Sequence, residues 1–175
     1  MADSELHRKG AAMRRQLMGD AAVERSSREI YSDPVMKKFI DVATETVFGA
    51  LWTRPGLDLK TRALICVVSD AATGREPELG LHLRMALRQG WTEEELTEVL
   101  LHLSGYVGVP IIRESMMVAS KAFAEFRAEK AAQNPITAQE GGSRHGSRLS
   151  PGRPEKRADP LQSLHKTGLA GLLFP

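Results

Sequence analysis

The sequence predicts an all-α fold, a single-domain bundle of about six helices followed by a disordered C-terminal tail. Three observations carry this expectation. Apolar residues recur at the helical period in most segments before residue 131, several of those segments open on a capping residue and close on glycine, and no stretch alternates with the two-residue period of a strand. A length of 175 residues with 42% hydrophobic side chains suits one packed domain and a tail. The division falls at 130, with a helical domain over 1–130 and a disordered basic tail over 131–175.

The elements follow in order. Ser4 caps a first helix that runs through about Met18, and Gly19-Asp20 ends it. The next run, DAAVERSSREIYSD, is polar with scattered Val23, Ile30 and Tyr31, and reads as an irregular or partly helical connection. Asp33-Pro34 starts a second helix, a capping side chain followed by proline at the first helical position. Val35, Phe39, Val42, Ala43, Val47 and Leu51 then mark an apolar face reaching Leu51 or Trp52. Pro55-Gly56 turns the chain, and Asp58 caps a helix from about Leu59 to Gly74 that is apolar all round between Ala63 and Val68. Such a helix belongs at the centre of a bundle or at a subunit contact. Pro77 and Gly90 bracket the next helix, Thr92 and Glu95 form a capping box for one ending near Val107, and Gly108-Val109-Pro110 starts the last, which fades near Ala131.

Charge excludes several function classes. The formal net charge is +2. Residues from Ala131 onward hold six Lys or Arg against three Asp or Glu, +3 in all, which leaves 1–130 near −1. The basic balance belongs to the tail, so the folded part is not expected to bind nucleic acid. No apolar run approaches the roughly 20 residues that span a bilayer, and Met1 to Asp20 lacks the apolar centre of a secretory signal. No membrane contact is expected, and a cytoplasmic location follows by default. Within the tail, QEGGSRHGSRLSPGRPEKR has too few apolar residues to offset chain entropy, and the closing GLAGLLFP is either an untethered terminus or a docking peptide.

The residues with chemical potential gather around one helix. His82 titrates near neutral pH and so suits a general acid or base, and Glu78, four residues earlier on the same face, suits a group that orients its ring. Arg54 and Arg62 flank the capped start at Asp58, where a helix N-terminus and guanidinium forks both favour carboxylates, and Arg84 lies two residues beyond His82. Trp52 serves either as a pocket wall or as core. His102 and Tyr106, with Glu98 one turn earlier, form a second pair at helical spacing, suited to acid–base work or to a polar contact along a face. Cys66, the sole cysteine, excludes an intramolecular disulfide and reads as a small buried hydrophobe rather than a reactive thiol. The five histidines, at 7, 82, 102, 145 and 165, show no ligand spacing, so no metal site is expected; with no phosphate loop or nucleophile elbow either, cofactor-free chemistry is the simplest reading.

Three motifs, WTRPGL-D-x-x-TR from Trp52, E-L-x-L-H-x-R-x-A-L from Glu78, and Y-x-G-V-P from Tyr106, stand in the order and approximate spacing of the gamma-carboxymuconolactone decarboxylases. From about Arg14 to Phe126 the chain resembles that family. The resemblance implies an alkylhydroperoxidase-like helical fold and a homo-oligomer, a trimer or a hexamer. It also implies decarboxylation of a small carboxylated lactone, gamma-carboxymuconolactone, to the enol-lactone of beta-ketoadipate, a step in the breakdown of aromatic acids through protocatechuate. On that reading His82 delivers a proton, Glu78 orients it, Arg54 and Arg62 hold a carboxylate, and Trp52 and Tyr106 adjoin the pocket. The superfamily's peroxidases carry a CxxC pair, whereas the positions near Arg75 and Glu78 hold no thiol. Two alternatives stand beside this reading. Ile111-Ile112-Arg113-Glu114 departs from the small-residue, Asn-containing sequence usual after GVP, which points to a related decarboxylase or isomerase with another lactone or aromatic acid. A non-catalytic oligomer that binds a ligand or partner through its tail is the third.

Overall fold

The structure, a computed structural model, describes residues 4–133. The tail expected from residue 131 onward, GLAGLLFP included, lies outside them from residue 134 on. The described residues form seven α-helices and one π-helical stretch with no strand: α1 Glu5–Met18, α2 Asp20–Glu29, α3 Pro34–Ala43 continuing as a π-helix over Thr44–Leu51, α4 Leu59–Thr73, α5 Glu76–Arg88, α6 Glu93–Val107 and α7 Val109–Gln133. The fold is all-α. No helix among the described residues is long and apolar enough to cross a membrane.

Helix starts follow local chemistry. Ser4 accepts from the His7 amide, Asp33 from those of Val35 and Met36, Asp58 from that of Thr61, and Thr92 with Glu95 closes a reciprocal capping box. Gly74 ends α4 at φ 67°, a left-handed position that favours glycine. The stretch after Gly19 differs from the sequence expectation. It is a full helix, α2, anchored by its one buried residue, Val23, and by an Arg15–Asp20 ion pair of 2.9 Å that ties it back to α1.

The second helix differs too, in which face it buries. A Cβ at Gly10 would fall 1.8 Å from the Thr44 carbonyl oxygen, and one at Gly49 would fall 2.3 Å from that of Leu6, so α1 and the π-helix touch backbone to backbone. That approach sets the rotation of the whole α3–π unit: Ile40, Thr44 and Gly49 turn inward, while Val35, Phe39 and Val42 stay 74%, 59% and 53% exposed. The apolar stripe read from the sequence is real, but within this chain it faces outward. The π register shows directly in the Trp52 amide, which donates to the Val47 carbonyl five residues back at 2.9 Å.

The core joins α1 to the α4–α7 bundle through Leu17, Val67, Leu79, Leu83, Met85, Leu96 and Leu100, all nearly or fully buried, with Ile112, Phe123 and Phe126 from α7. Trp91 after α5 donates from its indole to the Lys60 carbonyl at 3.0 Å, locking that turn onto the start of α4. α4 and α5 thereby become a rigid antiparallel hairpin.

Candidate active site

The hairpin carries the site. α4 is apolar over LICVV and then sets one acid, Asp70, among Val67 and Ala71, where it is 5% exposed. A carboxylate that deep needs a partner. It finds one across the hairpin: the Nδ1 of His82 lies 2.5 Å from Asp70 Oδ2. A carboxylate oxygen accepts, so Nδ1 donates its proton to Asp70 and Nε2 is left outside this bond. The His82 side chain is 22% exposed against 8% for Asp70, an acid held inside and an imidazole at the boundary.

Asp70, which sequence reasoning missed, takes the place expected for Glu78. Glu78 is exposed on α5, and the carboxylate that meets the ring comes from α4 instead. Four-residue spacing puts Glu78 on the same side of its own helix, but a neighbouring helix supplies a closer and drier acid. The signal was present in the sequence: Asp70 is the single acidic residue between Asp58 and Glu76, two residues after the apolar run LICVV.

Arg62 and Arg54 share one loop. The Arg62 side chain donates from Nη2 to the Arg54 carbonyl at 2.9 Å and from Nε to the Leu57 carbonyl at 3.2 Å, stapling the Trp52–Asp58 segment to the first turn of α4. The Arg54 side chain is exposed, whereas Trp52 is 7% exposed and packs in the core. Tyr106 is 76% exposed and tilts against His102, ring centroids 5.1 Å apart. Among the described residues no hydrogen bond, ion pair or ring contact joins these four to His82. Arg84 pairs with Glu125 at 2.9 Å on another face of α5. The groove of about 720 Å³ between α2, α5 and α7 uses that other face too, through Pro77, Leu81, Arg84 and Arg88.

Cys66 stands one helical turn before Asp70. Burial, and secondly the Asp70 carboxylate, push its thiol up from the ordinary value, which disfavours the thiolate a nucleophile or metal ligand needs. The described residues contain no group of three or more His, Cys, Asp or Glu that could hold a metal ion.

The helical hairpin sets one buried carboxylate against one boundary imidazole. The chain belongs to the carboxymuconolactone decarboxylase family. The family's profile matches residues 38–121, which include both Asp70 and His82. A 4-carboxymuconolactone decarboxylase of Acinetobacter baylyi is 33% identical over 123 residues, 70% of this chain and 90% of that protein. The nitrosuccinic acid decarboxylase npaB of Metarhizium robertsii is 36% identical over 123 residues, 68% of this chain and 85% of the relative. An uncharacterised 15.0 kDa protein of Paracoccus denitrificans is 34% identical over 83 residues, 46% of this chain and 62% of its own length.

Proposed function

We propose that this protein is a cofactor-free decarboxylase of a small carboxylated lactone, with gamma-carboxymuconolactone as substrate and the enol-lactone of beta-ketoadipate as product, in the breakdown of aromatic acids through protocatechuate. The observation that carries the proposal is the Asp70–His82 pair inside the segment that matches a decarboxylase family.

The chemistry needs little else. When the substrate's carboxylate leaves as carbon dioxide, the electron pair of the broken bond moves through the ring double bond onto the lactone carbonyl, so the substrate supplies its own electron sink. One carbon must then take up one proton. His82, protonated on both nitrogens, gives the Nε2 proton to that carbon, returns to the neutral form with Nδ1–H still held by Asp70, and regains its proton from water. Asp70 stabilises the charged imidazolium and fixes the ring's orientation, the role first expected of Glu78. Arg54 holds a substrate carboxylate, and Arg62 keeps the loop carrying it against α4. Trp52 anchors that loop from the core, and Tyr106 belongs to the site's outer rim.

A different acid as substrate is the second reading, favoured by Ile111-Ile112-Arg113-Glu114 after the GVP motif and by a relative named for nitrosuccinic acid. An ultraviolet assay with freshly generated gamma-carboxymuconolactone, run beside a His82→Ala control, separates the two. Turnover that requires His82 supports the lactone reading. A folded protein that leaves the lactone intact and decarboxylates nitrosuccinate overturns it.

The working form is a homo-oligomer, a trimer or a hexamer, with a second copy of the chain covering the outward apolar face. The exposed Val35, Phe39 and Val42, with Ile65 at 53% on α4, support this, because a monomer rarely leaves such a set uncovered. Elution as a monomer in sizing chromatography with light scattering would contradict it.

A further inference from the structure

Arg14 is the one Lys or Arg of the described residues that is buried, at 7% exposure, and no ion pair reaches it. Its Nη2 donates to Ser26 Oγ at 3.0 Å, and its guanidinium carbon lies 5.1 Å over the Tyr31 ring. Ser26 in turn donates its hydroxyl to the Val23 carbonyl, so it is fixed in place by α2. Burial pulls the guanidinium down from its usual value, Arg15 adds to that, and Tyr31 opposes it. A guanidinium carries five N–H donors in a planar fork, and a buried cation is ordinarily held by a carboxylate. Here the position a carboxylate would take is a cavity of about 320 Å³ between α1, α2 and α3.

The cavity's lining fits an acid with an unsaturated body. Arg14, Arg15 and Lys37 line it with one anion, Asp41; Lys37 Nζ neutralises that carboxylate at 2.8 Å and Arg15 is paired with Asp20 at 2.9 Å, which leaves Arg14 as the lining guanidinium without a carboxylate. Val23, Ile40 and the Tyr31 ring supply apolar and aromatic walls. Neither Asp70 nor His82 lies on the helices that form it.

We propose that this cavity is a second ligand site that binds a small aromatic or conjugated carboxylic acid, its carboxylate on the Arg14 fork and its ring against Tyr31. The site stands independently of the chemistry assigned to His82. Binding there ties α2 and α3 to α1, so occupancy raises the stability of the N-terminal half of the protein.

Thermal unfolding of the full chain tests this, with sodium benzoate as probe, sodium phosphate as an anion without a ring, and sodium chloride at matched ionic strength. Benzoate should raise the melting temperature saturably by about 3 °C, in wild type and in His82→Asn alike, while phosphate gives less than half that shift. Arg14→Met should melt no lower than wild type without ligand, because it replaces an unpaired buried charge by an apolar chain, and should lose the benzoate shift. Tyr31→Leu should weaken benzoate binding roughly tenfold while keeping the phosphate response. No saturable shift in wild type, a full shift in Arg14→Met, or a shift lost in His82→Asn would overturn the site. Equal responses to phosphate and benzoate would overturn the aromatic acid as its ligand. Arg14→Met melting well below wild type would make Arg14 a structural cation instead.

Discussion

Replacing Asp70 by Asn tests the catalytic assignment with the least disturbance of shape. The side chain keeps its size at a position 5% exposed in α4, but it loses the charge beside the His82 ring, whose Nδ1 lies 2.5 Å away. A hydrogen bond to a charged group contributes roughly 1.5–3 kcal/mol, and each 1.36 kcal/mol is about tenfold in rate. If the pair is worth that much only when the ring is charged, Asp70→Asn should lower kcat by roughly 10- to 150-fold. The amide adds a second effect in the same direction. Its N–H₂ can donate to Nδ1, which turns the ring to the other tautomer and raises the loss toward the upper end. Glu78→Gln is the control, exposed and without a bond to the ring, and should stay within about twofold of wild type. The assay is ultraviolet loss of freshly generated gamma-carboxymuconolactone, with far-ultraviolet dichroism to show that each variant is folded. Asp70→Asn within twofold of wild type, alongside an inactive His82→Ala, would refute the reasoning. So would Glu78→Gln as damaging as Asp70→Asn.

Three further outcomes follow from the packing. Gly10→Ala gains up to about 1 kcal/mol of helix propensity, but its Cβ would sit 1.8 Å from a backbone oxygen that cannot move alone; the net should be a loss of about 2 kcal/mol in urea unfolding, whereas Gly80→Ala, whose Cβ would meet the Val118 side chain at 3.5 Å and the Arg84 guanidinium at 3.8 Å, both ordinary contacts, should be neutral or stabilising. Cys66, its thiol pushed up by burial and by Asp70, is protonated at neutral pH and gains thiolate only as pH rises through that raised value; iodoacetamide at pH 8 should modify the folded protein at least ~10-fold more slowly than the guanidinium-unfolded chain, as read by mass spectrometry. Arg62→Ala removes both bonds from its side chain to the Trp52–Asp58 segment, to the Arg54 and Leu57 carbonyls; it should raise KM more than it lowers kcat, because the loop that carries Arg54 is loosened while the proton donor is untouched, and an unchanged KM would remove Arg62 from that role.

Most of the fold was legible because helix ends are decided locally. Ser4, Asp33-Pro34, Asp58 and the Thr92–Glu95 box each satisfy amides within three residues, and all four starts fall where the sequence puts them. Two features were not local. α2 reads as a connection because only Val23 in it is buried, and the contacts that tie it down, Arg14 to Ser26 and Arg15 to Asp20, come from its neighbour. The rotation of α3 is likewise invisible in its own sequence: the apolar stripe predicts one buried face, but the contacts of Gly10 with Thr44 and of Gly49 with Leu6 choose another. Spacing within a helix says which residues share a side, and only tertiary contact says which side is inside.

The same distinction explains why His82 was legible and its partner was not. Spacing along one helix nominates Glu78, and the nomination fails because α5 has a neighbour. Yet the hairpin itself contains the answer. Counting from Arg75 at the turn, Asp70 lies five residues back and His82 seven residues on, at heights of roughly 7.5 Å and 10.5 Å for a rise of 1.5 Å per residue. Helical side chains lean toward their N-terminus, which on α5 is toward the turn, and a histidine leaning that way closes the remaining gap. An acid buried alone on its helix must find a partner to be tolerated there, and the titratable group that meets it from the next helix is His82. The burial of Asp70 and the position of His82 are therefore one constraint, met twice by the same hairpin: the carboxylate is tolerated inside because the imidazole is its partner, and the imidazole ring is held in one orientation because the buried carboxylate is.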